Sequence, residues 1–346
     1  MKYLERSGSM SAEGKRRRLI EVDRVTGFAI LLVVVGHIVA REPPVGNEWY
    51  VSLKFYIYQF HMPLFMFMSG LVFQYTFASI STFSEYGTWA SKKIWRLAPG
   101  FLLVGTIISL GKILSGSFIH VDNPQNDLLE SMIRLFVRPT ESAASSLWYI
   151  YVLLEFYLLF PLLIILSRNK KFVILIMVVA MHIAYQTMRL PRIFALHTMF
   201  EFALYFWLGA MSCAYYDRLL PLLRRRGAIF TLLFVVSFAS TLFLPWRQSQ
   251  TVIGLASIPA VTFLIGTDSG RIGAFFASIS GYTFVIYLLN TVAIGLTKGM
   301  MLKLLPWDGT NFYLYFVVLT TVGMVVPILL HRWVFSRNKT LGRIMN

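Results

Sequence analysis

Cysteine is almost absent from this chain. Cys213 is the only one in 346 residues. A single thiol excludes an internal disulfide and any cysteine-based metal centre, and its place in an apolar run reads as inert packing. Charge is scarce as well. Asp, Glu, Lys and Arg make up 14% of the residues, against roughly 25% in ordinary soluble domains. A soluble fold of this length needs more polar surface, so the chain is not expected to be one. Acid is the rarer sign, 16 residues against 32 basic ones for a net charge of +16. On a soluble protein that excess would point to nucleic acid. On an apolar chain it points to membrane orientation and to an anionic ligand or lipid headgroups, with no nucleic-acid partner expected. No repeat of 20–50 residues is evident, which excludes a solenoid. No clear similarity relates the two halves, which weighs against an inverted-repeat transporter. No long soluble insert interrupts the apolar runs, so one domain is expected.

Apolar residues fill the space left by these absences, at 57% of the chain with 16% aromatic. A membrane-crossing helix needs about 20 mostly apolar residues. Ten runs qualify, near 22–40, 52–80, 94–117, 147–167, 172–189, 195–216, 228–245, 250–267, 272–298 and 311–334. The eighth is the weakest, because Gly254 and Pro259 interrupt it. The expected fold is therefore all-α, a polytopic integral membrane protein of about ten transmembrane helices. Residues 1–18 form a polar, basic leader expected to be disordered, 19–336 the membrane domain, and 337–346 a cytoplasmic tail. The first apolar run follows that leader without a small-residue cleavage site, so it reads as a retained span. With both termini and the even-numbered connections on one side, that side carries most of the basic residues and is cytoplasmic by the positive-inside rule. The longest connection on the other side, 118–146, carries Asp122, Asp127, Glu130 and Glu141. It is too polar to span and is a candidate lid or acceptor-contact loop.

Ionisable residues inside spans are costly and mark candidate sites. His37 lies 13 residues beyond Arg24, roughly 20 Å along a helix. His61 lies about nine residues into a second span that runs the opposite way. Either histidine alone is readily explained as a polar residue satisfied between helices. Two at one depth on adjacent helices favour a function. Glu155, Glu201 and Asn290 also fall within runs. Each alone fits a helix–helix hydrogen bond, and together they suggest a polar cavity open to the outside. A neutral imidazole in such a cavity suits general-base work on a hydroxyl. Lys92, Lys93 and Arg96 open the third run, where Lys93 and Arg96 share a helix face and a helix N-terminus favours an anion. They fit a topology anchor and an anion site equally well.

Four segments resemble the motifs of the acyltransferase family 3 membrane proteins. Ile20–Asp23 with Gly27–His37 (GFAILLVVVGH) resembles that family's first helix. Phe60–Gly70 (FHMPLFMFMSG) is similar to its second. Lys93–Phe101 (KIWRLAPGF) is similar to its basic third-helix motif. Leu147–Ile150 (LWYI) with Tyr157–Pro161 (YLLFP) resembles the fourth. The motifs run in family order through the first half of the chain, while the second half matches in hydropathy alone. The resemblance implies a ten-helix acyltransferase of the bacterial inner membrane. It implies transfer of an acyl group, often acetyl, from cytoplasmic acyl-coenzyme A to a hydroxyl of a glycan or lipid-linked sugar. No permanently bound cofactor and no metal are implied. His37 matches the essential histidine, and Lys93 and Arg96 match the basic pair that meets the coenzyme A phosphates, with Lys92 beside them. His61 is a second catalytic candidate. Ser69, Trp148, Tyr149, Glu155 and Glu201 are candidates for orienting His37, for the oxyanion or for substrate contacts. One position departs from the family. Thr26 stands where a basic residue is usual, eleven before the histidine, which implies either a different subfamily or that Arg24 or Lys54 serves instead. Two other readings stay open: a secondary transporter or exporter of a sugar or acylated metabolite, and a non-catalytic partner of an envelope assembly system.

Overall fold

The structure is a computed structural model that describes residues 18–39, 43–77, 80, 82–115, 127–168 and 170–345. Of the expectations above, the leader up to residue 17 and the 118–126 part of the long connection lie outside the described residues. Thirteen α-helices are found among the described residues, and no strand is. They are α1 (Ile20–His37), α2 (Glu48–Thr76), α3 (Phe83–Ser115), α4 (Leu128–Val137), α5 (Trp148–Leu166), α6 (Lys171–Thr187), α7 (Leu196–Cys213), α8 (Tyr216–Ser237), α9 (Trp246–Val261), α10 (Arg271–Ser280), α11 (Thr283–Met301), α12 (Asn311–Leu330) and α13 (Lys339–Met345). Wide π-type turns extend α9 over Thr262–Gly266 and α12 over His331–Phe335.

The all-helical membrane architecture stands, and six of the ten expected spans meet the length and apolarity that crossing a membrane needs. Six helical segments among the described residues are long and apolar enough to cross a membrane: Phe83–Leu114, Ser145–Leu166, Ile193–Cys213, Trp246–Gly266, Thr283–Met301 and Asn311–Phe335. The other four runs each hold a helix among the described residues, and each falls short of that length or apolarity for a physical reason. α1 carries Glu21, Asp23 and Arg24 in its first turns. α2 is lengthened by polar residues, Gln59 and His61 among them. α6 is apolar but has 17 residues. α8 opens with a charged segment, Asp217, Arg218 and Arg224–Arg226. The ninth run, 272–298, is two helices, because α10 and α11 are separated by a turn at Gly281 and Tyr282. The described part of the long connection contains a helix, α4, rather than irregular loop. Asp127 caps it by accepting from the Glu130 N–H at 3.0 Å, as an N-cap carboxylate does, and its Ser131 and Leu135 are buried.

α2 is the axis of the bundle, packed against α1, α7 and α9. Its crossing with α7 is a backbone contact. A Cβ on Gly70 would lie 1.8 Å from the Phe206 carbonyl oxygen, and one on Gly209 would lie 1.9 Å from that of Phe67. Small residues permit this approach, and in lipid such close packing is a main source of helix association. Below the crossing the core is aromatic. Phe73 stacks on Tyr157 at 5.7 Å, and Phe160 stacks on Trp207 at 5.3 Å. α1 is covered by α10, α11 and α12, which places α11 against the C-terminal half of α1.

Candidate functional site

α1 ends at His37. A helix leaves its last carbonyls without intrahelical partners, and within apolar surroundings each needs another donor. Here α2 supplies them. Tyr50 Oη donates to the Val35 carbonyl at 2.8 Å, and Tyr58 Oη donates to that of Gly36 at 3.1 Å. Lys54 Nζ donates to the carbonyl of Val39 just beyond the helix. These residues recur every four positions and so form one stripe of α2. The Lys54 cation also complements the negative end of the α1 dipole. His61 stands one turn further along α2. Its ring meets that of Tyr58 edge to face, with centroids 4.9 Å apart, beside the Tyr58 hydroxyl that bonds the Gly36 carbonyl at the end of α1.

The His37 ring is fixed by Asn290 of α11, with Nδ1 and Oδ1 2.8 Å apart. The proton's place on that bond follows from the other bonds of Asn290. Its Nδ2 already donates to the carbonyls of Ile286 and Tyr287, at 2.9 and 2.8 Å, so Oδ1 is the atom turned to the histidine and can only accept. His37 Nδ1 therefore carries the hydrogen, and the Nε2 lone pair is left free. Nε2 has no protein partner among the described residues, and His37 is half-buried rather than enclosed. His61 is buried and has the same tautomer for a different reason. Its Nδ1 donates to the Ile57 carbonyl at 2.8 Å, leaving Nε2 without a protein partner among the described residues.

Ser69 and Tyr149 come together, but on each other rather than on His37. Ser69 Oγ donates to the Phe65 carbonyl, so it accepts from Tyr149 Oη at 2.6 Å. Tyr149 belongs to a chain that reaches α11. Its N–H donates to Tyr287 Oη at 3.2 Å, and Tyr287 Oη donates to the Ser146 carbonyl at 2.5 Å. Tyr287 and Asn290 lie on one face of α11, so a single helix fixes both the histidine and the start of α5. Trp148 stacks on Phe202 with centroids 5.2 Å apart. The Glu201 carboxylate is hydrogen-bonded by Tyr185 and Gln250 with the Arg247 guanidinium nearby. Gln250 in turn donates to the Tyr58 carbonyl at 3.4 Å, so this polar group adjoins the histidines across α2. Glu155 stands apart on α5, with Oε2 buried and unpartnered.

The basic residues separate. Helix α3 begins at Phe83, so Lys92, Lys93 and Arg96 lie in its third and fourth turns, and the helix-N-terminus contribution expected there does not apply. Lys92 and Arg96 are exposed, whereas Lys93 is only 9% exposed. Its ammonium lies 4.2 Å from the Trp89 ring centroid and 4.8 Å from that of Tyr157, a two-sided cation–π seat. It has no carboxylate partner among the described residues. Thr26 is spent within α1, donating to the Val22 carbonyl at 2.8 Å. Arg24 points elsewhere, donating to the Gly266 carbonyl at 2.9 Å.

The fold and these motifs define an all-helical membrane protein whose first two helices present paired histidines. A sequence profile described as an acyltransferase domain matches residues 19–332, and the chain belongs to that family. The nodulation protein NolL of Sinorhizobium fredii (strain NBRC 101917 / NGR234) is 29% identical to it over 171 residues, 48% of this chain and 42% of that protein. The match thus spans less than half the length of this relative. No solved structure matches the chain.

Asn290 was legible as an intramembrane polar residue, but its pairing with His37 spans 253 positions and nothing local announces it. Tyr50, Tyr58 and Tyr287 were missed. The signal for the first two was present in the four-residue spacing Tyr50–Lys54–Tyr58 that runs into His61.

Proposed function

We propose that this protein is a membrane acyltransferase in which His37 Nε2 is the general base. The carrying observation is the Asn290 bond, which holds the proton on Nδ1 and leaves Nε2 as an unoccupied base. The acceptor hydroxyl gives its proton to Nε2 as its oxygen attacks the carbonyl carbon of the acyl thioester. The carbon–sulfur bond then breaks, and the leaving thiolate of coenzyme A takes the proton from His37. His61 lies beside this centre with its own Nε2 free, suited to the oxyanion or the acceptor hydroxyl once protonated or bridged by water. The acyl group is acetyl in this reading. The acceptor is an extracytoplasmic or lipid-linked glycan, and the polar set of Glu201, Tyr185 and Gln250 with the nearby Trp148 suits a sugar. Lys93, flanked by Lys92 and Arg96, takes the phosphates of the donor. The ten-span topology, with both termini on the arginine-rich cytoplasmic side of a bacterial inner membrane, belongs to the same reading.

Purified protein in lipid nanodiscs, given labelled acetyl-coenzyme A and a sugar acceptor, tests it. Release of coenzyme A should depend on acceptor and be abolished in His37→Ala, while that variant keeps the wild-type elution profile and helical content. Undiminished release in His37→Ala overturns the mechanism. Sugar uptake into liposomes without any thioester consumption overturns the enzyme reading in favour of transport.

A further inference from the structure

A cavity lies beside the buried Glu21 of α1. It has a volume of about 280 Å³ and is bounded by α2, α7, α8 and α9, with Glu21 and Val22 of α1 at one end. Phe67, Met68 and Leu71 of α2 form one wall, and Leu219, Leu220 and Leu223 of α8 form the wall opposite. The cavity is not built for water or a polar ligand. Ser212 Oγ donates to the Leu208 carbonyl at 2.8 Å, Thr262 Oγ1 to that of Ile258 at 2.6 Å, and Tyr216 Oη to Glu21 at 2.8 Å. Every hydroxyl of the lining is thus already donated within the protein. Glu21, 6% exposed, also accepts from Arg224 at 3.3 Å. An apolar cavity of this kind stays dry and takes an apolar guest.

The cavity is open to the bilayer and rimmed by cations. Leu255, on its α9 wall, is 38% exposed. The first half of α8 is amphipathic, with Tyr216, Leu219, Leu220 and Leu223 on one stripe, as in helices that lie along a membrane interface. By helical spacing Arg224 and Arg226 flank that stripe on either side. Arg224 is tied to Glu21. Arg226 is exposed, breaks the helix at φ −114° and ψ 15°, and has no acidic partner among the described residues. Glu21 precedes His37 by sixteen residues, roughly 24 Å along α1. A charged group at the Glu21 end is therefore well away from His37.

We infer that this cavity holds one acyl chain of an anionic glycerophospholipid from the leaflet on the arginine-rich side, with its phosphate on Arg226 and Arg224. The apolar walls select the chain and the unpaired guanidinium selects the charge. The site is independent of the acyl-transfer reading, and its test reads lipid retention alone.

The full-length protein in nanodiscs of equal phosphatidylglycerol and phosphatidylcholine is released and weighed by native mass spectrometry. Wild type should retain phosphatidylglycerol in clear preference to phosphatidylcholine. Arg226→Gln, which leaves the Arg224–Glu21 pair intact, should reduce that preference about fivefold, the factor equivalent to ~1 kcal/mol per basic residue at an anionic surface. Leu220→Trp, which fills the cavity from α8, should abolish retention of both lipids, and Leu255→Trp should do the same from α9 if the first variant fails to fold. Glycerol 3-phosphate should not displace the lipid. Equal retention of the two lipids by wild type, retention surviving in a folded cavity-filled variant, or displacement by glycerol 3-phosphate each overturns the inference.

Discussion

Three histidines of the bundle differ in what their second nitrogen does. His182 has both engaged, with Nδ1 donating to the Glu201 carbonyl at 3.0 Å and Nε2 meeting Thr251 and Gln186 at 2.9 and 3.2 Å. Such a residue is a structural bridge between α6, α7 and α9. His37 and His61 have one nitrogen engaged and the other free, which is the state a proton acceptor requires. Composition and hydropathy do not separate these cases, since all three are intramembrane histidines. Only the partners do, and for His37 the partner is Asn290. Asn290→Leu removes the acceptor that holds Nδ1–H, so the neutral ring can adopt the tautomer with its proton on Nε2. It should lower kcat roughly a hundredfold, within the range for general-base catalysis, with little change in KM for the acyl donor. Asn290→Asp keeps an acceptor at that place and should recover part of kcat. Steady-state kinetics on the two variants check this. A structural role alone would instead lower the folded yield of both, without a selective fall in kcat or rescue by Asp.

At the scale of elements, the sequence carried more than span positions. Each of the ten apolar runs holds a helix among the described residues, whereas the stripe Tyr50–Lys54–Tyr58 went unread although its four-residue spacing was there. The boundaries were not readable, for identifiable reasons. α3 starts nine residues before Lys92 because Phe83–Ser91 contains no proline and no helix breaker except Gly87, so nothing stops the helix until the chain turns. The break between α10 and α11 rests on Gly281 and Tyr282, which interrupt an otherwise continuous apolar run. The α2–α7 crossing was invisible because glycines have no hydropathy signature, yet it decides where His61 stands. Gly70→Ala would press a methyl group onto the Phe206 carbonyl, and neither helix backbone can yield. The variant should lose about 1–3 kcal/mol of stability, the range for overpacked cores. Gly295→Ala on α11, where a Cβ meets nothing within 4 Å, should be neutral or mildly stabilising. Thermal unfolding in detergent compares the two directly, and a similar loss for both would show that the close crossing is not what Gly70 serves.

At the scale of the whole molecule, the chain has two polar regions separated by an aromatic core. One is the histidine centre with its Glu201 group. The other is the basic side, where most cations are exposed, as expected of a topology signal. Lys93 differs from these because it is buried between two aromatic faces. Burying an ammonium without a carboxylate is costly, and cation–π attraction offsets only part of that cost. A bound phosphate would complete the compensation. Lys93→Met with Arg96→Gln keeps the side-chain volume at the buried position and removes both charges. The double variant should raise KM for acyl-coenzyme A at least roughly ten- to a hundredfold, the range for losing a single charge-assisted phosphate contact, with kcat nearly unchanged. A short acyl-pantetheine thioester, which lacks the nucleotide phosphates, should show the same KM with wild type and variant. That contrast separates a phosphate seat from a topology anchor. An anchor would alter the yield of correctly inserted protein and affect both donors alike, whereas a phosphate seat on α3 discriminates only against the donor that carries the phosphates.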